Sequence, residues 1–228
     1  MGVFLRKLKH QLLPRKEFKI KTKRATLQWL GSPNGGFYID TQTIQPDDFV
    51  LSFGVGTDVS FDLQLIEKTQ CRVFGFDPTP KSIEWIKSQT LNPNYSFFPY
   101  GIALETGEVR FFLPKNENHV SGSLMPMDYV DTHTAVDVPV KSMQDVVKDV
   151  DPLKVKAVKM DIEGAEYTVM PSVLIALPNL KIIAVEIHER FVEGGVAKTQ
   201  KMIAELEHYG FELAAISDSL EELTFIKA

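Results

Sequence analysis

Apolar residues along this chain follow two rhythms: short runs of four to eight, and stretches in which they recur every three or four positions. Phe49 to Phe53 is one such run and suits a strand covered on both faces. It enters Gly54-Val-Gly56, where the backbone must turn sharply and leave room for something close by. Val59, Leu63 and Ile66 then fall at helical spacing. A second strand, Val73 to Phe76, ends on Asp77, 23 residues after Gly54. An acid at that place can accept hydrogen bonds from ribose hydroxyls when a nucleotide lies across the carboxyl edge of a sheet. The plain alternative is that the glycines only make a tight turn and Asp77 is a solvated strand end.

The same alternation continues. Thr79-Pro80 offers an N-cap and a proline at the first helical position for a helix through Ile83, Trp85 and Ile86. Tyr95 to Phe98 reads as a third strand. Tyr100 to Leu104 continues at the same edge, where Ile102 could lie on an adenine face, and Val109 to Leu113 is another extended piece. Asn116 to Asp137 is polar and weakly periodic, a long loop and a candidate acceptor-binding lid that holds His119 to Ser123. Ser142 with Asp145 resembles a capping box for a helix ending near Val150. Val155 to Met160 is a buried strand, followed by helix to about Leu177 that Pro171 should break or kink. Leu180 to Ile187, a helix over Gly194 to Tyr209 closed by Gly210, and strands at Phe211 to Ile216 and Leu223 to Ile226 complete the chain. Such alternation closing on a hairpin predicts an α/β domain with a mostly parallel sheet and one antiparallel strand.

Composition adds a division. Residues 1–24 carry nine Lys/Arg against one acid, leaving 16 basic and 29 acidic residues on the remainder, a balance of −13. We expect a basic N-terminal tail (1–24) on an acidic domain (25–228). Phe4, Leu5, Leu8, Leu12 and Leu13 fall near helical spacing in the tail, so it could touch an anionic membrane surface peripherally, or dock on the acidic body. No apolar run approaches the 18 or so residues a span requires. The single cysteine, Cys71, excludes an intramolecular disulfide and zinc-type cysteine pairs, and fits a cytoplasmic setting. No phosphate loop or nucleophile elbow is present. No nucleic-acid partner is expected.

Ligands bind open α/β sheets beyond the carboxyl ends of the strands, and polar residues end two of the apolar runs. Asp161 and Glu163 end one; Glu186 and His188 end the next and point to the same side. Asp161, His188 and Glu163 are thus candidate catalytic residues, one of them a general base for a hydroxyl. A hard cation orienting a sugar diol is the other functional reading, though no metal is counted among the expected ligands. The plain alternative has Asp161 and Glu163 capping the next helix and His188 as a satisfied rim residue.

Val50 to Asp62, Phe74 to Pro78, and above all Val158-Lys-Met-Asp-Ile-Glu-Gly-Ala-Glu166 resemble the FkbM family of S-adenosylmethionine-dependent methyltransferases. That resemblance implies a Rossmann-like class I methyltransferase fold: a seven-stranded sheet with helices on both faces. It also implies S-adenosylmethionine as cofactor, and O-methylation of a sugar, glycan or other hydroxylated small molecule. Carried over, Gly54 and Gly56, with Phe53 beside them, border the methionine part. Asp77, followed by Pro78, holds the ribose, and Asp161 faces the reaction centre. Ser52 stands where many such enzymes have an acid near the cofactor's ammonium, and Asp58 would supply that charge. The expected cofactor set is therefore Phe53, Gly54, Gly56, Asp58, Asp77, Pro78, Ile102 and Asp161. Alternatives remain: an NAD-type oxidoreductase, disfavoured by Val59 where the dinucleotide fingerprint has a third glycine, and a non-catalytic cofactor-binding or membrane-docking module.

Overall fold

The computed structural model describes residues 18–114 and 130–227. A hairpin of β1 (Leu27–Leu30) and β2 (Phe37–Asp40) leads to β3 (Phe49–Phe53), α1 (Ser60–Thr69), β4 (Arg72–Phe76), α2 (Pro80–Lys87) and β5 (Tyr95–Phe98). Then come β6 (Gly101–Ala103), β7 (Gly107–Pro114), β8 (Val130–Ser142), α3 (Met143–Asp149) and β9 (Val155–Met160). The chain closes with α4 (Glu166–Ala176), β10 (Ile182–Glu186), α5 (Gly195–His208), β11 (Phe211–Ile216) and β12 (Glu222–Lys227).

Seven strands form one sheet in the order β11-β12-β10-β9-β3-β4-β5. β12 runs antiparallel to β10 and β11, while the contacts from β10 through β9, β3 and β4 to β5 are parallel. This is the expected Rossmann-like sheet. The chain builds outward from β3 through β4 to β5, then returns to lay β9 on the other side of β3. That reversal opens a crevice beyond the carboxyl ends of β3 and β9.

Strand side chains alternate between the two faces. Leu51, Phe53, Val158, Met160, Ile183 and Val185 pack in one core with residues of α3, α4 and α5. Val50, Val73, Ala157, Ile182 and Ala184 pack in the other with α1, Ile86 of α2 and the β1–β2 hairpin. Burial on both faces is why the parallel strands read as unbroken apolar runs.

Two expectations need correction. The expected lid Asn116 to Asp137 is not one loop: Val130–Ser142 is a strand paired antiparallel with β7 and parallel with β6 in a separate three-stranded sheet. Its period-two alternation is visible in buried Val138 and Val140 around exposed Pro139, and it was masked by polar residues on the other face. The loop's His119 to Ser123 lie outside the described residues. Pro171 does not end α4, which runs on to Ala176; the proline lacks its N–H and crowds the carbonyl four residues back, a local cost of about 3 kcal/mol that burial of Val169, Met170, Val173 and Leu174 on either side outweighs. The end of the basic tail docks on the body, one of the placements expected for it. The Lys21 N–H donates to the Leu213 carbonyl at 2.9 Å, Thr22 hydrogen-bonds Glu212, and Phe18 packs against the core. The tail's amphipathic stretch lies outside the described residues, among which no helix is long and apolar enough to cross a membrane.

Candidate active site and cofactor cleft

The bend after β3 needs two left-handed residues, Gly54 at φ +80° and Gly56 at φ +59°. A Cβ at Gly54 would overlap the carbonyl oxygen of Asp161. The room this glycine leaves is taken by the backbone beyond β9, and not by a ligand. Gly56 turns its N–H onto Asp77, whose Oδ2 accepts it at 2.8 Å. Asp77 Oδ1 accepts from the N–H and hydroxyl of Thr79 at 2.9 and 2.7 Å. Thr79 heads α2 as expected, but its hydroxyl serves Asp77 and does not cap the helix. A carboxylate oxygen can accept two hydrogen bonds, so Oδ2 keeps acceptor capacity beside the bend.

Asp58 accepts from Ser32 Oγ at 2.6 Å and from the Ser60 N–H at 2.8 Å. Burial raises its pKa, but those hydrogen bonds and the charge of Lys159 outweigh burial and hold it below the usual carboxylate value. The turn at Ser32 to Gly36 thereby clamps onto the start of α1.

A cavity of about 250 Å³ lies over this bend. Phe53, Gly54, Gly56, Asp58, Asp77, Pro78, Ile102 and Asp161 all line it, and so does Glu163. Sequence reasoning missed Phe111 and Val140, which the small sheet brings to the same wall as Ile102. The only signal for them was strand alternation, which marks burial and no chemistry. The set suits a nucleoside carrying a cationic group: an apolar wall for a base, Asp77 for ribose hydroxyls, and the anionic Asp58.

Asp161 and Glu163 line the same cavity. Glu163 (φ +53°) and Gly164 (φ +102°) are both left-handed; for the glutamate that conformation costs roughly 1–3 kcal/mol. The N-cap of α4 is Ala165, with no side-chain cap, so neither acid caps that helix. Both face His188 instead. Its Nε2 lies 3.4 Å from Glu163 Oε2, 3.6 Å from Asp161 Oδ1 and 3.8 Å from Glu186 Oε1. On the other side of the ring, Nδ1 lies 3.2 Å from Glu166 Oε1, which also accepts the His188 backbone N–H.

His188 is buried and lies behind the carboxylates that line the cavity. Burial pushes its pKa down, but the hydrogen bond to Glu166 and the charges of Glu166, Glu163 and Asp161 carry it well above the ordinary value. Burial and the charge of Asp161 likewise push the Glu186 carboxyl well up.

Among solved structures the chain is similar to a precorrin-6y C5,15-methyltransferase from Geobacter metallireducens (12% identity, 82% of this chain and 84% of that chain, TM-score 0.44). An rRNA methylase from Streptococcus thermophilus matches at 8% identity over 82% and 90%, with TM-score 0.45. A Streptococcus mutans protein in complex with SAH matches at 10% over 81% and 90%, with TM-score 0.44. Likeness at this level decides nothing about substrate. Among curated proteins no relative is found. The profile of the methyltransferase FkbM domain matches residues 38–213, from β2 into β11, and the chain belongs to that family of S-adenosylmethionine-dependent methyltransferases.

Proposed function

We propose that the protein methylates a hydroxyl group of a sugar, glycan or other hydroxylated small molecule. One observation supports this reading above others: two carboxylates, Asp161 and Glu163, line the same cleft as the Gly56–Asp77 contact. Carboxylates accept hydrogen bonds from O–H and N–H donors alike, and the family resemblance favours the O–H.

S-adenosylmethionine bound here supplies a methyl group on a positively charged sulfur, already a good electrophile. The protein must hold the two partners in line and take a proton away. Asp77 would accept the ribose hydroxyls, Asp58 would face the ammonium, and Ile102, Phe111 and Val140 would cover the base. Asp161 and Glu163 would hold the acceptor hydroxyl and receive its proton. The buried position of His188 assigns it the support of those carboxylates, and not direct contact with the acceptor.

The test is methyl transfer from labelled S-adenosylmethionine to a panel of polyols, monosaccharides and amines. Acceptor-dependent SAH release with an O-methyl product is expected. Methylation only on nitrogen or carbon, or calorimetric binding of NADH and not of S-adenosylmethionine, would overturn the reading.

A further inference from the structure

We infer that Asp161, Glu186 and His188 form a binding site for one divalent metal ion of the manganese or zinc class, at the wall of the cleft. The ligand atoms of these three residues all lie within 4.8 Å of one another. The separations of 3.6 and 3.8 Å from His188 Nε2 to Asp161 and Glu186 exceed the roughly 2.7–3.2 Å of an N–H···O hydrogen bond. They come close to the edge of a coordination polyhedron: bonds of about 2.0–2.3 Å put neighbouring donor atoms roughly 3–3.7 Å apart, so 3.6 Å falls inside that range and 3.8 Å just beyond it. A small inward rotation of each carboxylate completes the set.

Two further observations point to a ligand. Glu186 is 8% exposed, yet among the described residues its carboxylate makes no hydrogen bond and aims at His188 Nε2; the Asp161 carboxylate makes none either. Glu166 is fully buried and is itself fixed by the Gly164 N–H at 2.9 Å, which sets it to hold His188 from behind. An ion that displaces the Nε2 proton leaves the imidazole donating its Nδ1 proton to Glu166 with the Nε2 lone pair turned into the cluster, the arrangement in which a carboxylate orients a histidine ligand. The charge count agrees: one imidazole faces four carboxyl groups within 3.8 Å. Two or three carboxylate oxygens with one imidazole nitrogen suit manganese or zinc better than a purely oxygen-seeking ion.

Asp161 and Glu163 line the cleft, so open positions on the ion would face the acceptor. Two neighbouring hydroxyls could occupy them, and the ion would ease loss of a hydroxyl proton. That proton passes to Glu163 as the new O–methyl bond replaces the methyl–sulfur bond. This role rests on the proposed O-methylation, whereas the site stands on geometry alone.

The test strips the full chain with chelator and titrates it with Mn²⁺, following the free-ion electron-spin-resonance signal, and with Zn²⁺ and Mg²⁺ by calorimetry. No acceptor is present, and SAH binding is measured alongside. One Mn²⁺ or Zn²⁺ per chain is expected, with affinity at least tenfold weaker in Glu186→Gln and in Asp161→Asn, and roughly 10–100-fold weaker in Glu166→Gln. Circular dichroism like that of the parent keeps each variant interpretable. Absence of stoichiometric binding by the stripped parent, or binding unchanged in both Glu186→Gln and Asp161→Asn, would overturn the site and leave the cluster as a protonated histidine among acids. Metal binding without any SAH binding would count against the methyltransferase reading and leave the metal site standing.

Discussion

The ammonium of Lys159 donates to the carbonyl oxygen of Gly54 at 2.5 Å. Lys159 is 6% exposed and pairs in register with Ser52, so its side chain reaches the glycine bend from the neighbouring strand. It also lies 5.5 Å over the Phe37 ring and acts electrostatically on Asp58 and Asp62. One buried cation therefore ties the bend, the start of α1 and the hairpin together. Lys159→Met keeps the apolar stem and removes the donor, leaving the Gly54 carbonyl without its charged partner. A charge-assisted hydrogen bond of this sort contributes about 1.5–3 kcal/mol, a fall of roughly 3–12 °C in Tm for a chain of this size. SAH affinity should drop as well. A variant with parental Tm and SAH affinity would show that the bend holds itself.

Asp77 is held by three donors, the Gly56 and Thr79 N–H groups and the Thr79 hydroxyl. Asp77→Asn replaces one acceptor oxygen by an N–H₂ group that must face donors. We expect SAH affinity to fall tenfold or more by calorimetry, since a buried donor left unpaired costs about 1–3 kcal/mol. Thr79→Val removes one donor and leaves the carboxylate intact, so its loss should be clearly smaller. Equal losses in the two variants would mean that Asp77 acts through the fold of α2 and not on the cofactor.

Gly54 and Gly107 separate two meanings of glycine. At Gly54 a side chain meets the Asp161 carbonyl at φ +80°; at Gly107 it meets nothing within 4 Å. Gly54→Ala should push β3 away from β9, with a large loss of Tm or of soluble protein. Gly107→Ala should leave Tm within about a degree. Differential scanning calorimetry on the pair decides it; a well-folded Gly54→Ala would mean that the bend can relax.

The strands that carry the site were legible because a parallel strand buried on both faces must be an apolar run, and Phe49–Phe53, Arg72–Phe76 and Val155–Met160 each end where their side-chain chemistry changes. The Gly-Val-Gly bend and Asp77 followed from that. Three things could not. Phe111 and Val140 belong to strands that alternate, one face polar, and Val130–Ser142 looked like loop as far as Asp137 for that reason. Lys159 sits among apolar neighbours with nothing local to say that its target lies 105 positions earlier. Glu166 looked like the tail of a motif, although its partner His188 arrives from another strand end. Pairings across the switch point are set by the sheet order, which one strand's pattern does not contain.

Asp62 carries the pH dependence that is simplest to isolate. It lies in the first turn of α1, buried, and among the described residues its Oδ1 has no hydrogen-bond partner. Burial pushes its pKa up to about 6 from 3.8, and the charge of Lys159 only partly offsets this. The folded state thus holds a proton that the unfolded chain releases at lower pH. Stability from this group is fully present below about pH 4 and is lost as pH rises through about 6, with a total on the order of 3 kcal/mol. Asp62→Asn keeps the shape and removes the titration. The variant should match the parent near pH 4, gain on it between pH 4 and 6, and stay several degrees higher in Tm at pH 7.5. In the Lys159→Met background the charge that partly offsets burial is gone, so ionised Asp62 costs more and the advantage of Asp62→Asn should grow. An advantage independent of pH would assign the effect to packing and not to the buried charge.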